Sequence, residues 1–177
     1  YRLNEKLSQK FDLKNLFDSK SQEFSISGDF DNEIYIPLIN YDSKNKIVSI
    51  DSTFNINKDY INLKKFSLRE NKNKIEIKDL SVKNKVLLKF DSILVKTIKN
   101  GKYNNDFSLI FGKKIELKGL KYDASNLTKL IDQNNETNFF KNISKEINLN
   151  IKEISTNTPD KILNFNLIGN LKKGKLS

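Results

Sequence analysis

The chain has no histidine, cysteine, methionine or tryptophan. Without histidine it lacks the commonest general base, the Ser-His-Asp arrangement and the commonest metal ligand. Without cysteine there is neither a disulfide nor a thiolate metal site, which suits a cytosolic or bacterial periplasmic protein better than a small secreted scaffold. Proline occurs only at Pro37 and Pro159, and alanine only at Ala124. No apolar run approaches the ~20 residues of a membrane-spanning helix. The chain starts at Tyr1 and stops at Leu176-Ser177, inside a strand-like pattern, so both ends are expected to be cuts in a longer protein.

Basic residues are abundant, giving a net charge of +10, yet only Arg2 and Arg69 are arginine. Lysine, asparagine and isoleucine have AT-rich codons, so base composition explains the excess. A nucleic-acid binder is expected to use arginine, whose planar fork matches phosphate and guanine edges. Nucleic acid is therefore an unlikely partner, ranked third as a Lys-rich binder of anionic surfaces.

What the chain does have is alternation of apolar and polar residues with period two. Phe24 and Ile26 carry it, followed by Ile34, Ile36 and Leu38, then Val48, Ile50, Phe54 and Ile56. Ile61 and Leu63 continue it, then Ile75 and Ile77, Leu80 and Val82, and Val86, Leu88 and Phe90. Phe107, Leu109 and Phe111, then Ile115 and Leu117, then Ile147, Leu149 and Ile151, and finally Phe165 and Leu167 complete it. Turn formers separate the runs, among them Asp31-Asn32, Asn100-Gly101, Asn104-Asn105 and Gly112-Lys113. Such short connections imply antiparallel neighbours.

The fold expected is mainly β: an elongated, bent antiparallel sheet, a trough-like meander of roughly ten strands with one or two short helices. Residues 1–22 are read as a helical or linker lead-in, because Leu3, Leu7 and Phe11 recur at spacing four. The meander spans 23–122, a short helix and polar loop 123–142, and further strands 143–177. Asp123 or Ser125 caps the expected helix, with Ala124, Leu127, Leu130 and Ile131 on one face.

No motif carries chemistry. The Gly-Lys pairs at Gly101, Gly112 and Gly174 lack the rest of a phosphate loop. Asp29, Asp31 and Glu33 lack the central glycine of a calcium loop and read as a solvated turn. Glu76 and Asp79 read as polar-face residues. No metal, cofactor or catalytic residue is expected, and the chain is read as a non-enzyme. One-sided strands need their apolar side covered, by a closed core or by something apolar lying on it.

One stretch resembles a known family. Asn100-Gly101-Lys102-Tyr103, the run from Phe107 to Gly119, and Tyr122-Asp123-Ala124-Ser125-Asn126-Leu127 are similar to a recurring segment of the AsmA-like, YhdP-type envelope proteins of Gram-negative bacteria. The run from Phe165 to Leu171 ahead of Lys173-Gly174 resembles that family's β repeats. The chain departs from them in its scarcity of glycine and arginine. The resemblance implies a periplasmic module, anchored to the inner membrane by a part not present here and paired with neighbouring β repeats. Its implied role is outer-membrane maintenance, by shielding phospholipid acyl chains in an apolar β-trough. Candidate lipid-contacting residues are Ile34, Ile36, Ile50, Phe54, Ile75, Ile77, Val86, Leu88, Phe90, Phe107, Leu109, Ile115, Leu117, Leu149 and Ile151. The alternative is a structural scaffold or adhesin segment with a closed core and no ligand.

Overall fold

The computed structural model describes residues 11–18, 21–31, 33–44, 46–127 and 140–176, with side chains from residue 23 onward. Among the described residues fourteen strands follow one another: β1 (Phe11–Asp18), β2 (Ser21–Phe30), β3 (Tyr35–Ile36), β4 (Tyr41–Asp42), β5 (Val48–Asn57), β6 (Tyr60–Glu70) and β7 (Asn73–Lys83), then β8 (Val86–Lys89), β9 (Ser92–Lys99), β10 (Lys102–Phe111), β11 (Ile115–Asp123), β12 (Lys145–Ser155), β13 (Lys161–Lys172) and β14 (Lys175–Leu176). Twelve of them form one sheet in the order β1-β2-β5-β6-β7-β9-β10-β11-β12-β13-β14, with β8 pairing beside β7. The elongated sheet is the architecture that the alternation predicts.

Tight turns keep sequence neighbours side by side. Asn100 and Gly101 have φ of 52° and 76° between the paired Lys99 and Lys102, and Lys173-Gly174 repeats the geometry. Positive φ at both central positions matches the twist of the flanking strands. Gly119 has a different task. At a bulge between β10 and β11, a Cβ there would collide with Phe107 and with the Asp106 carbonyl.

Four details differ from the sequence reading. Residues Phe11–Asp18 of the expected lead-in helix form β1, paired antiparallel with β2. Strand pairing overrides the spacing of four, since Phe11 and Leu13 also alternate with Asp12 and Lys14. The run Ile34-Ile36-Leu38 is broken by Pro37, which starts a 3-10 turn over Pro37–Ile39. Residues 33–44 therefore form a flap, in which β3 and β4 pair only with each other, rather than a strand of the main sheet. The sheet is mixed, not wholly antiparallel, because β12 runs parallel to β11. The long connection between them is what permits this. Finally, half of the helix expected over 123–132, residues 128–132, lies outside the described residues. Of its described part, Asp123 ends β11, and the Leu127 amide donates to the Ala124 carbonyl in a turn.

Cross-strand partners share a face of the sheet. One row reads Ile50, Leu68, Ile75, Val95, Phe107, Gly119, Ile151 and Phe165. The next row on that face reads Ile26, Ser52, Phe66, Ile77, Ile93, Leu109, Leu117, Leu149 and Leu167. The opposite face carries Asp51, Ser67, Glu76, Ser108, Lys118 and Asn150. Thus the sheet is mainly apolar on one side and mainly polar on the other, where Leu94, Ile110 and Ile168 interrupt the polar residues.

Two buried clusters sit at opposite ends of the apolar side. In the first, Ile39 and Tyr41 of the flap pack on Val48, Leu68, Ile75, Val95, Phe107, Ile151 and Ile154. In the second, Leu87 and Phe90 pack with Ile115, Ile143 and Ile147. Between them the row from Ile26 to Leu167 is only partly buried, apart from Ser52.

Candidate functional site

The apolar side is the candidate site, and its strip lies between the two clusters. Ile77, Leu109, Leu117 and Leu149 are on the strip, among the candidates read from the sequence. Ile50, Ile75, Phe107 and Ile151 form the adjacent row, where Ile75, Phe107 and Ile151 are buried beside the flap. Ile34 and Ile36 belong to the flap and pack against the same cluster. Phe54 stacks on Phe24, with ring centroids 5.5 Å apart, near the β2-β5 end. Phe90 and Ile115 are buried in the second cluster.

Two candidates are placed elsewhere. Val86 pairs with Lys83, one residue out of step with the apolar Val82–Leu87 pair, and belongs to neither cluster. Leu88 lies at the bulge where β8 meets β7. It lines a cleft of about 510 Å³ with Asn55, Asn62, Ser81 and Lys89. Strict alternation from Val86 to Phe90 hid that bulge, which shifts the facing of the strand by one residue. Phe66, Ile93 and Leu167 stand on the strip, and the sequence reading did not select them.

The charged side is laced with ion pairs. Glu76 lies 3.0 Å from Lys74 and 3.5 Å from Arg69. Glu116 meets Lys114 and Lys118 at 3.1 and 3.2 Å, and Glu153 meets Lys161 and Lys121 at 2.9 and 3.6 Å. For Glu116 the two lysines hold the carboxyl below its ordinary range, and Lys161 foremost does the same for Glu153. These pairs are largely solvated, so water screens them and they add little to stability. A polar cleft of about 660 Å³ opens on this side between Asp29, Asp51, Lys65 and Arg69.

A buried polar network closes the flap end of the apolar side. Asn105, fully buried, donates to the Ile39 carbonyl at 2.6 Å and to Thr97 Oγ1 at 2.8 Å, and accepts from the Asp123 amide at 2.9 Å. Asp123 accepts from Asn40 at 2.9 Å and Asn104 at 3.1 Å, and also from Ser125. Burial alone raises the Asp123 pKa, but donors from Ser125, Asn104 and Asn40 outweigh it and hold the carboxyl below its ordinary value. Glu70 is buried beside Lys46 at 3.1 Å, and Tyr41 donates to it at 3.4 Å. Burial, then the nearby Glu70 charge, pushes the Tyr41 hydroxyl pKa up.

Sequence reading missed this network. Asn104-Asn105 read as a turn, yet both lie inside β10. Among the described residues no group of three or more acidic side chains is placed to hold a metal ion. No helix among them is long and apolar enough to cross a membrane. Comparison with known proteins returns no match to a family model, a curated protein or a solved structure.

Proposed function

We propose that this chain is a lipid-handling module that works by shielding acyl chains rather than by catalysis. The observation behind the reading is the partly buried strip that crosses the sheet from Ile26 on β2 to Leu167 on β13. Strands about 4.8 Å apart make such a strip a long, uniform apolar track. Exposing a ~15-carbon chain to water costs on the order of 12 kcal/mol, at about 0.8 kcal/mol per CH₂. A carrier that covers the tail along its route removes that cost without gripping the headgroup. The resemblance to AsmA-like envelope proteins supports phospholipid as cargo, with the periplasm and an inner-membrane anchor as the setting. Neighbouring β repeats would then extend the track.

A second reading has its own support. The flap and the β8 segment already seal both ends of the apolar side, as a structural scaffold or adhesin segment with a closed core requires.

The test is native mass spectrometry with lipid extraction on the chain purified, without detergent, from a Gram-negative host. Phospholipid should co-purify, be lost in Leu109→Asp on the strip and persist in Leu88→Asp on the cleft side. Circular dichroism of both variants checks that the sheet is intact. A folded, lipid-free parent chain would sink the lipid reading and leave the scaffold.

A further inference from the structure

Four described turns lie at the end of the sheet opposite the flap: β5–β6 (57–60), β7–β8 (83–86), β10–β11 (111–115) and β13–β14 (172–175). Strand pairing sets them on one level, since Tyr60 lies beside Lys83, and Ile115 beside Ile147 and through it Gly169. Their sequences hold eight lysines and one acidic residue, Asp59. At the flap end Asp29, Asp31, Glu33, Asp42, Asp123 and Asp160 are interspersed with the lysines. The positive surplus of the chain is therefore gathered at the turn end. Lys58, Lys83, Lys85, Lys113, Lys173 and Lys175 are all exposed there, with no ion pair among the described residues.

Two of these turns are joined. The Asn84 amide donates to the Asp59 carbonyl at 3.0 Å, which ties the β7–β8 turn to the β5–β6 turn. Lys83 Nζ sits 5.3 Å from the centroid of the half-buried Tyr60 ring. Just behind the turn, Ile56 and Ile61 pair across β5 and β6 and are 41 % and 48 % exposed. Lysines beside exposed isoleucines and a tyrosine match a membrane interface. Ammonium groups meet lipid phosphates, a phenol ring suits the headgroup level, and aliphatic side chains reach the acyl boundary. Nucleic acid would meet the same lysines but gives the isoleucines nothing to pack on.

These isoleucines stand on the apolar side. Ile61 pairs with Val82 and Leu63 with Leu80, and both partners pack against the second buried cluster. Along β6 the same side runs from Ile61 through Leu63 and past the bulge opposite Thr53/Phe54 to Phe66 on the strip. None of the three is buried.

We propose that the joined β5–β6 and β7–β8 turns dock on an anionic lipid bilayer, with Lys58, Lys83 and Lys85 on the headgroups and Ile56 and Ile61 at the acyl boundary. β6 then leads from the bilayer to the strip. The docking rests on charge and exposure alone, whereas the route to the strip rests on the lipid-handling reading. The test is flotation of the whole chain with two kinds of vesicle, phosphatidylcholine alone and equal parts phosphatidylcholine and phosphatidylglycerol. One variant combines Lys58→Gln, Lys83→Gln and Lys85→Gln, and a second combines Ile56→Ser and Ile61→Ser. A control removes the same charge at the flap end with Lys44→Gln, Lys72→Gln and Lys99→Gln. Every substituted residue is exposed, so the sheet should stay folded, which circular dichroism checks.

The parent chain should float with the mixed vesicles and not with phosphatidylcholine alone. The turn-lysine variant should lose about a hundredfold in affinity, at about fivefold per lysine. The isoleucine variant should lose about tenfold. The control should stay within about threefold, because its lysines lie more than a Debye length from the docked turns. Equal losses in the two lysine variants would overturn the docking site and leave only the overall charge. Duplex DNA bound as tightly as the mixed vesicles, with both affinities unchanged in the isoleucine variant, would replace the bilayer by nucleic acid. Phospholipid co-purifying with a chain that floats with neither vesicle would overturn the docking and keep the lipid-handling reading. A lipid-free chain that floats with the mixed vesicles, and fails to in the turn-lysine variant, would keep the docking and remove the cargo.

Discussion

The flap end and the middle strip of the apolar side are made of the same kinds of residue and differ in what covers them. At the flap end Leu68, Val48 and Ile151 are at most 1 % exposed, roofed by Ile39 and Tyr41. One row away Phe66, Ile77 and Leu109 remain partly exposed. The difference arises from the polar network rather than from hydrophobicity. Asn105, Asp123 and Asn40 anchor the flap over one row by specific hydrogen bonds, and among the described residues no such anchor reaches the next. An apolar sheet face is thus divided into a structural part and an available part by where polar groups can be satisfied.

The sharpest test of that division compares two leucines. Leu68→Ala should cost about 3–4 kcal/mol in urea unfolding, because a buried cavity adds to lost transfer energy. Leu109→Ala on the strip should cost roughly half as much, since the side chain is already partly in water. Equal losses would mean that the strip is as closed as the flap end, and the comparison would fail.

A smaller effect comes from the anchor itself. The folded-state pKa of Asp123 is depressed, so its contribution is fully present above the ordinary carboxyl value of about 3.9 and is lost as pH falls through the folded value. Asp123→Asn should therefore lower stability at neutral pH and flatten the acid limb of a stability-versus-pH curve. An unchanged acid limb would show that other carboxylates govern acid unfolding and that the flap anchor is not the sensitive point.

Much of the sheet was legible because most strands bury one side only, and period two is the direct imprint of that. β9 is an exception. Its Ile93-Leu94-Val95 run is continuous, with Leu94 on the charged side beside Glu76 and Ser108, so alternation did not reveal it. The direction of β12 was equally hidden, because pairing polarity is decided by a long connection and not by the strand's own residues. The candidate strip was half legible. Ile77, Leu109, Leu117 and Leu149 followed from alternation, whereas bulges at Thr53/Phe54, Ser81/Val82 and Tyr103/Asn105 shift facing in ways that a single sequence does not mark. The buried network was the least legible part. In a chain so rich in asparagine, Asn104 and Asn105 look like any other turn residues, and only their placement under the flap distinguishes them.

The charged side should respond least of all. Glu153 bridges Lys161 and Lys121 across three adjacent strands, at 2.9 and 3.6 Å. Its side chain is 24 % exposed and both lysines are more exposed still, so water screens the pairs. Glu153→Gln keeps the shape and a hydrogen-bonding oxygen while removing the charge. It should change the urea midpoint by no more than about 0.5 kcal/mol equivalent, and less in high salt. A loss as large as that of Leu68→Ala would mean that the ion-pair ladder, and not the roofed apolar row, holds β11, β12 and β13 in register. The sheet's two sides would then exchange roles, with the charged side structural and the entire apolar side, flap end included, available to a ligand.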